Sequence, residues 1–268
     1  MSDFAKSHRS GSGEPLVLLH GAAMSWRAWR PVLGELERHH DVYVPTLAGH
    51  RGGLPLGADV DVTVTALVDA LCADLDAAGI ATAHVAGNSL GGWVALELAR
   101  RGRARSVVAL SPAGGWARPF DLERLVWLFR VGLALGAGDS ARRAIHRPRL
   151  RRFLLRGAME HGERVPEADV DEMLNDLAQC VVIDELLAGA AAHGPLGPLD
   201  DLPCPIRIAW AEHDHVVPWR PYGRPFLRTV PEAEFVRLPG VGHLPMHDDP
   251  ELVSRVILQV TTTASYSA

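Results

Sequence analysis

One pentapeptide constrains this chain more than any other stretch: Gly87-Asn88-Ser89-Leu90-Gly91, set between two apolar runs of different character. Before it, His84 to Gly87 reads as a short buried strand. After it, Ser89 to Arg101 reads as a strongly apolar helix, with Arg100 and Arg101 in the last turn, where cations suit the helix dipole. A strand that becomes a helix within one residue forces the residue at the turn into a strained backbone, and only small neighbours fit beside it. Gly87 and Gly91 meet that demand. The Ser89 hydroxyl is then held proud of the sheet at a helix N-terminus, where developing negative charge is favoured. A bare GxSxG pattern also describes a serine helix cap; the strand before it and the helix after it favour a nucleophile.

The rest of the chain repeats the same alternation. Pro15 to Leu19 is a continuous apolar run ending in His20-Gly21, as a strand buried on both faces would be. A helix is expected from about Ser25, carrying Trp26, Trp29, Val32, Leu33 and Leu36, followed by a strand at Asp41 to Pro45. Thr63 can cap a helix bearing Val64, Leu67, Val68, Leu71, Leu75 and Ile80, with Gly79 near its end. Ser106 to Leu110 is the next strand. From about Ala113 to Leu199 no β-type run of that clarity occurs, and strands resume at Pro205 to Trp210 and Glu234 to Leu238 before a final amphipathic helix from about Pro250 to Val260. The pattern implies an α/β class fold, a doubly wound and mostly parallel sheet, with a helical block inserted between two strands. The expected division is a core of residues 1–113 and 202–268 and an insert of residues 114–201.

A serine hydroxyl is a weak nucleophile and needs a base, which in turn needs an orienting carboxylate. The order Ser, acid, His is met. Asp214 follows the strand ending at Trp210, and His243 follows the strand ending at Leu238, both at carboxyl ends where open α/β sheets place their sites. Glu212 and Asp248 compete for the acid role. Asp214 is preferred because Val216-Val217-Pro218 would anchor its loop, whereas Asp248 belongs to the next helix start, and Ser111 leaves no carboxylate after the preceding strand. An oxyanion hole needs two backbone N–H donors, each typically worth ~10²–10³ in rate. Leu90 supplies one, and Ala22 or Ala23, after His20-Gly21, supplies the other. His20 itself reads as a structural group joining loops.

Taken jointly, these pieces resemble the α/β-hydrolase family: Leu18-Leu19-His20-Gly21, Gly49-His50, Gly87-Asn88-Ser89-Leu90-Gly91-Gly92, Asp214 with Val217-Pro218, and Gly242-His243 with Asp249-Pro250-Glu251. The resemblance spans most of the chain outside the helical block. It implies a core of parallel strands with a helical cap, about Gly114 to Asp201, closing over the site. So few residues precede Pro15 that the family's N-terminal hairpin must be shortened, to one strand. Thr46 stands where many relatives carry an aspartate in the loop after the second core strand, so that loop must be tied down differently. Ser89 argues against haloalkane dehalogenases and most epoxide hydrolases of this fold, which use an aspartate nucleophile. The resemblance therefore implies a serine esterase acting on a small to medium, largely apolar carboxylic ester or lactone. Hydrolases cleaving carbon–carbon bonds of ring-fission products share the Gly-Asn-Ser-x-Gly-Gly elbow but usually carry a Gly- and Pro-rich loop after His-Gly and an aromatic after the histidine. Here those positions hold Ala22-Ala23-Met24 and Leu244. A cofactor-free haloperoxidase-like activity and a ligand receptor on the same fold are the remaining alternatives.

Composition narrows the partners. With 47% hydrophobic and 22% charged residues over 268, the chain has the balance of a globular domain. A net charge of -5 gives no reason to expect nucleic acid. No apolar run approaches the ~18 residues of a membrane span, and no signal region is apparent, so a cytoplasmic protein without stable membrane insertion is expected. Cys72, Cys180 and Cys204 are isolated and read as reduced thiols. His213-Asp214-His215 has no further Cys/His pair to complete a metal site, and serine-triad hydrolysis requires none, so neither metal nor cofactor is expected. Met24, Trp116 and Met246 are candidates for the pocket of a small-molecule substrate, while Trp26 and Trp127 fit helix packing equally well. Ten arginines between Trp116 and Arg156 face only Asp121, Glu123 and Asp139; they read as a solvated helical face, the sharper alternatives being attraction of an anionic substrate, a partner protein or a membrane surface.

Overall fold

The computed structural model describes residues 6–57, 59–136, 143–201 and 204–265. Its strands are β1 (Ser7–Gly11), β2 (Pro15–Leu19), β3 (Asp41–Pro45), β4 (Ala83–Asn88), β5 (Ala104–Leu110), β6 (Ile206–Ala211) and β7 (Glu234–Leu238). They form one sheet in the order β1-β3-β2-β4-β5-β6-β7. Only β1 runs against its neighbour, pairing with β3 from Ser7 opposite Pro45 to Gly11 opposite Asp41; the remaining pairs are parallel. Among the described residues a single antiparallel strand thus stands at this edge, as expected. The chain leaves β2 toward β3 on one side and returns to β4 on the other. The loops after β2 and β4 therefore open beside one another, which is where open α/β sheets form a crevice.

Strand residues alternate between two helical layers because side chains alternate across a pleated sheet. Val17 and Leu19 pack with Leu67, Leu71, Val94 and Leu98, on α2 (Val64–Ala77) and α3 (Leu90–Arg100). Leu16 and Leu18 pack with Val32, Leu36, Val253 and Ile257, on α1 (Arg30–Leu36) and the C-terminal helix Pro250–Ser265. Thr63 caps α2, its hydroxyl accepting from the Ala66 N–H at 3.1 Å, and Gly79 adopts φ +75° just past the end. The helix expected from Ser25 begins later. Trp26–Trp29 form a single 3₁₀ turn and α1 starts at Arg30, with a proline in its first turn, the place that tolerates a missing N–H. Ser25 caps nothing; its hydroxyl donates to Asp176.

Between β5 and β6 the described residues contain helices and no strand: α4 (Pro119–Gly136), α5 (Pro148–Leu155), α6 (Glu167–Ala178) and α7 (Ile183–His193). Polar ties fasten α6 to the loops after β2 and β3. Asp176 accepts from Ser25 Oγ at 2.6 Å and from Arg51 at 2.9 Å, Arg51 also reaches Glu172 at 2.8 Å, and Arg30 reaches Asp169 at 2.8 Å. Burial pushes the Asp176 carboxyl up, opposed by the Ser25 hydroxyl and Arg51. Two arginines of the basic block do structural work instead of facing solvent. Arg151 is buried and donates to the carbonyls of Ile145, Gly162 and Glu163, and Arg124 donates to those of His215 and Val216. Arg147, Arg149, Arg152 and Arg156 are exposed, whereas Arg142 and Asp139 lie outside the described residues.

His20 is a brace, as expected: its Nδ1–H donates to the Gly21 carbonyl at 2.8 Å and its Nε2 accepts from the Leu47 N–H at 2.9 Å. That joins the loop after β2 to the loop after β3. Thr46 helps in the same region by accepting from the Trp26 N–H at 3.3 Å. Burial pushes the His20 imidazole down to about 3, and burial likewise holds His50 and His247 down to about 4. In the unfolded chain all three take up a proton near pH 6.5. The folded protein refuses it, so stability is complete above pH 6.5 and falls as pH drops toward the folded values. At pH 5 each histidine that stays neutral should cost roughly 2 kcal/mol relative to pH 7.5. Thermal unfolding from pH 7.5 to 5 should show a falling Tm, and His247→Gln should flatten that fall.

Candidate active site

Ser89 sits where β4 becomes α3, with φ 54° and ψ −115°, a region that side-chain-bearing residues seldom occupy. Holding a residue there costs on the order of 1–3 kcal/mol, so the surroundings must enforce it. They do so through the backbone: the Ser89 N–H donates to the Leu110 carbonyl at 3.0 Å, and the Ser89 carbonyl accepts from Trp93 at 3.2 Å and Ala113 at 2.9 Å. The elbow is also packed to the limit. A Cβ on Gly87 would lie 2.1 Å from the Gly91 carbonyl oxygen, and one on Gly91 would lie 2.1 Å from that of Leu19. This is the physical reason for glycine on both sides of the serine.

The structure brings Asp214 and His243 together. His243 Nδ1–H donates to Asp214 Oδ2 at 2.7 Å, with both residues about 5% exposed. The other Asp214 oxygen accepts from the N–H groups of Val216 at 3.0 Å and Val217 at 2.8 Å, so the Val-Val-Pro segment does anchor the loop. With Nδ1 committed to the carboxylate, Nε2 is the nitrogen free to take a proton from a nucleophile. The competing acids are occupied elsewhere. Glu212 accepts from the Gly240 N–H at 2.8 Å and pairs with Arg237 at 2.7 Å. Asp248 closes a short turn, Pro245–Asp248, rather than starting the next helix, and accepts from the N–H groups of Gly242, His161 and Glu160 at 2.7, 2.7 and 2.9 Å. His213 turns toward Glu160 at 3.2 Å and His215 faces solvent, so the two diverge from Asp214.

Three groups that the sequence did not single out complete the arrangement. The Asn88 side-chain amide donates to the His243 carbonyl at 2.9 Å and to Leu110 at 3.3 Å, tying the histidine loop to the residue beside Ser89. Arg124 on α4 holds the acid loop through the His215 and Val216 carbonyls. Tyr222 donates to the Asp121 carbonyl at 2.5 Å and lies close to Arg124. The Asn88 signal was present in the elbow itself. Arg124 was hidden within a block read as solvated.

A cavity of about 50 Å³ opens on Ser89 and Leu90, lined by Ala22, Trp93, Trp116, Leu125, Phe129, Ile183, Leu186, Val217 and Tyr222, among others. None of its described lining residues is charged. Trp116 is where it was expected. Met246 and Met24 are not: Met246 is 1% exposed and packs with Val253 and Leu238 on the far face of the sheet, and Met24 packs against the same cluster. The turn at Pro245 directs Met246 inward, which proximity to His243 in sequence does not reveal. Ala22 lines the cavity, whereas Ala23, at φ 58°, is buried against Cys180 and Ile183. Leu90 is the first residue of α3, so its N–H has no acceptor within the helix. A wider groove of about 730 Å³ lies between Pro31, Glu35, Ser254 and Leu258, and neither Ser89 nor His243 lines it.

Known proteins share this frame. Residues 16–256 match the model of the alpha/beta hydrolase family. An epoxide hydrolase, EphH, of Mycobacterium tuberculosis is 34% identical over 195 residues, covering 71% of this chain and 91% of its own. A 2-hydroxymuconate semialdehyde hydrolase of a Pseudomonas species is 38% identical over 112 residues, 40% of this chain and 39% of that one. Among solved structures, an esterase of Thermogutta terrifontis superposes with a TM-score of 0.71 at 23% identity, covering 96% of this chain and 93% of its own. No described helix is long and apolar enough to cross a membrane. The sheet order, the serine elbow and a family match extending from β2 into the final helix lead to one assignment: this chain is a member of the alpha/beta hydrolase family.

Proposed function

We propose that the protein is a serine hydrolase that cleaves small, largely apolar carboxylic esters or lactones through an acyl-enzyme. The single observation carrying this reading is the buried His243–Asp214 hydrogen bond on the same sheet edge as the strained Ser89 elbow. In this mechanism His243 Nε2 accepts the Ser89 proton as Oγ attacks the carbonyl carbon. Asp214 holds the imidazole and balances the imidazolium charge. The oxyanion is held by the N–H groups of Leu90 and Ala22. Ala22 is preferred over Ala23 because it lines the cavity, while the Ala23 amide faces the Cys180 sulfur, whose thiol is pushed up by burial and pulled back by the Val182 and Ala23 amides. His243 then gives its proton to the leaving alcohol. Water, deprotonated by His243, attacks the acyl-enzyme, and the acid leaves as Ser89 regains its proton.

Residues 114–201 act as the cap that walls the acyl pocket. Ligand pockets usually measure ~300–1,000 Å³, so the small volume above Ser89 favours a short acyl group. Opening an epoxide with a serine would leave an ether, which has no carbonyl for the second half of the cycle, so Ser89 favours ester chemistry over that of the epoxide-hydrolase relative. Ring-fission products carry a carboxylate, and the described cavity lining offers it no cation. The test is multiple turnover of p-nitrophenyl butyrate, with a fluorophosphonate adduct mapped to Ser89 by mass spectrometry. Labelling without turnover would favour a ligand receptor. Faster cleavage of styrene oxide or of a 2-hydroxydienoate ketoacid than of the ester would overturn the proposal.

A further inference from the structure

Trp93 lies four residues after Ser89, in the first turn of α3. Trp93 is 7% exposed and lines the cavity that opens on Ser89. Trp116 meets it edge to face at 5.7 Å, and Gly114 packs on its ring, where a Cβ would come within 2.6 Å. These contacts fix the plane of the indole, and they are all apolar. The indole Nε1–H has no hydrogen-bond acceptor among the described residues, although the atom itself is fully buried. A buried donor without a partner costs about 1–3 kcal/mol, so a site that retains one is built to meet an acceptor. Elsewhere in the same cluster, Trp210 shows the ordinary outcome, its Nε1–H donating to the Val217 carbonyl at 3.1 Å.

We infer that Trp93 is a specificity-determining residue, and that the acyl group taken by this site carries a hydrogen-bond acceptor oxygen, as an alkoxy-, keto- or lactone-type acyl chain does. The inference rests on the serine-hydrolase reading and names its substrate class. Ser89 and Trp93 line the same cavity, so the acceptor belongs within a few atoms of the acyl carbonyl, and ether positions along the chain locate it. Leu125, Phe129 and Leu186 in the same wall are apolar, and Tyr222 spends its hydroxyl on the Asp121 carbonyl. A plain alkyl chain would leave the indole N–H unpaired, and sites of this kind discriminate strongly against a ligand that lacks the matching group. Trp93 also borders a second cavity of about 180 Å³ lined by Thr63, Glu97 and His193, so the same ring divides the acyl pocket from that space.

The experiment compares kcat/KM for p-nitrophenyl hexanoate with three analogues in which an ether oxygen replaces one chain methylene in turn. Wild type is set against Trp93→Phe. Taking the ratio of ratios removes the intrinsic reactivity of each ester. For at least one oxygen position, wild type should prefer the ether ester by about five- to tenfold more than Trp93→Phe does, the amount one neutral hydrogen bond supplies. A second arm needs no variant: hexylboronic acid and its ether analogues should differ in Ki for the wild-type protein by a similar factor. Equal ratios in both proteins, together with equal boronate affinities, would overturn the inference and direct the indole N–H to the second cavity. Ester turnover with equal ratios counts against Trp93 alone. Absence of all turnover and of any fluorophosphonate adduct would bring down the serine-hydrolase reading with it.

Discussion

Ser89→Ala is expected to lower kcat on a short p-nitrophenyl ester by about 10⁵–10⁶, leaving only the residual rate that an oxyanion hole and binding provide. The substitution is clean for this site. The Ser89 side chain makes no capping hydrogen bond, and its fixed contacts run through the backbone N–H and carbonyl, which alanine keeps. Alanine also bears the same left-handed backbone, so the folding free energy should change by less than about 0.5 kcal/mol. The measurement is a steady-state assay beside a urea unfolding curve. Loss of the rate with an unchanged unfolding midpoint assigns the loss to chemistry. A variant retaining a hundredth or more of the wild-type rate would remove Ser89 from the nucleophile role, whatever the geometry around it.

The second large effect concerns the frame that holds the serine. Gly91→Ala should destabilise the protein by about 3 kcal/mol or more and also remove activity. Its Cβ would stand 2.1 Å from the Leu19 carbonyl oxygen and 2.7 Å from that of His20, and neither is a flexible side-chain end that could move aside. The clash is resolved only by separating α3 from β2, which shifts the elbow and the Ala22 loop together. Gly132→Ala supplies the contrast. That glycine lies within α4 with nothing within 4 Å of a new Cβ, so alanine there should stabilise by up to about 1 kcal/mol through helix propensity. Urea unfolding of both variants separates the two cases. Equal and small changes would mean that the tight contact at the elbow is not a constraint on the fold.

Much of the site is legible in the sequence because its parts lie in short, locally specified segments. The elbow needs a strand, a glycine-flanked turn and a helix within a dozen residues, and each leaves a periodic or compositional trace. Asp214 and His243 could be placed because each follows an apolar strand of the sheet, and strand ends share one edge. Of the three carboxylates weighed in the sequence, Asp214 is the one that meets His243. The cause is visible only in space: Glu212 is held by Gly240 and Arg237, and Asp248 by three backbone amides. Met246 shows the opposite case, where nearness along the chain suggested the pocket and the Pro245 turn buried it elsewhere. The late start of α1 belongs with it, since Ser25 looked like a cap and spends its hydroxyl on Asp176, 151 residues away.

What the sequence determined by itself, then, was the alternation of strands and helices, the strained position of Ser89, and the placing of Asp214 and His243 after successive strands. These follow from periodicity, turn chemistry and steric demands that act between residues close along the chain. The tertiary structure alone decided which face each loop residue takes. It directed Ala22 rather than the methionines to the cavity, recruited Asn88 and Arg124 to hold the histidine and acid loops, and enclosed Trp93 without an acceptor. The physical reason is that these outcomes depend on contacts between segments far apart in the chain, such as Arg124 with His215, 91 residues away, or Asn88 with His243, 155 residues away. No local pattern encodes which distant carbonyl will complete a hydrogen bond; packing of the whole chain selects it.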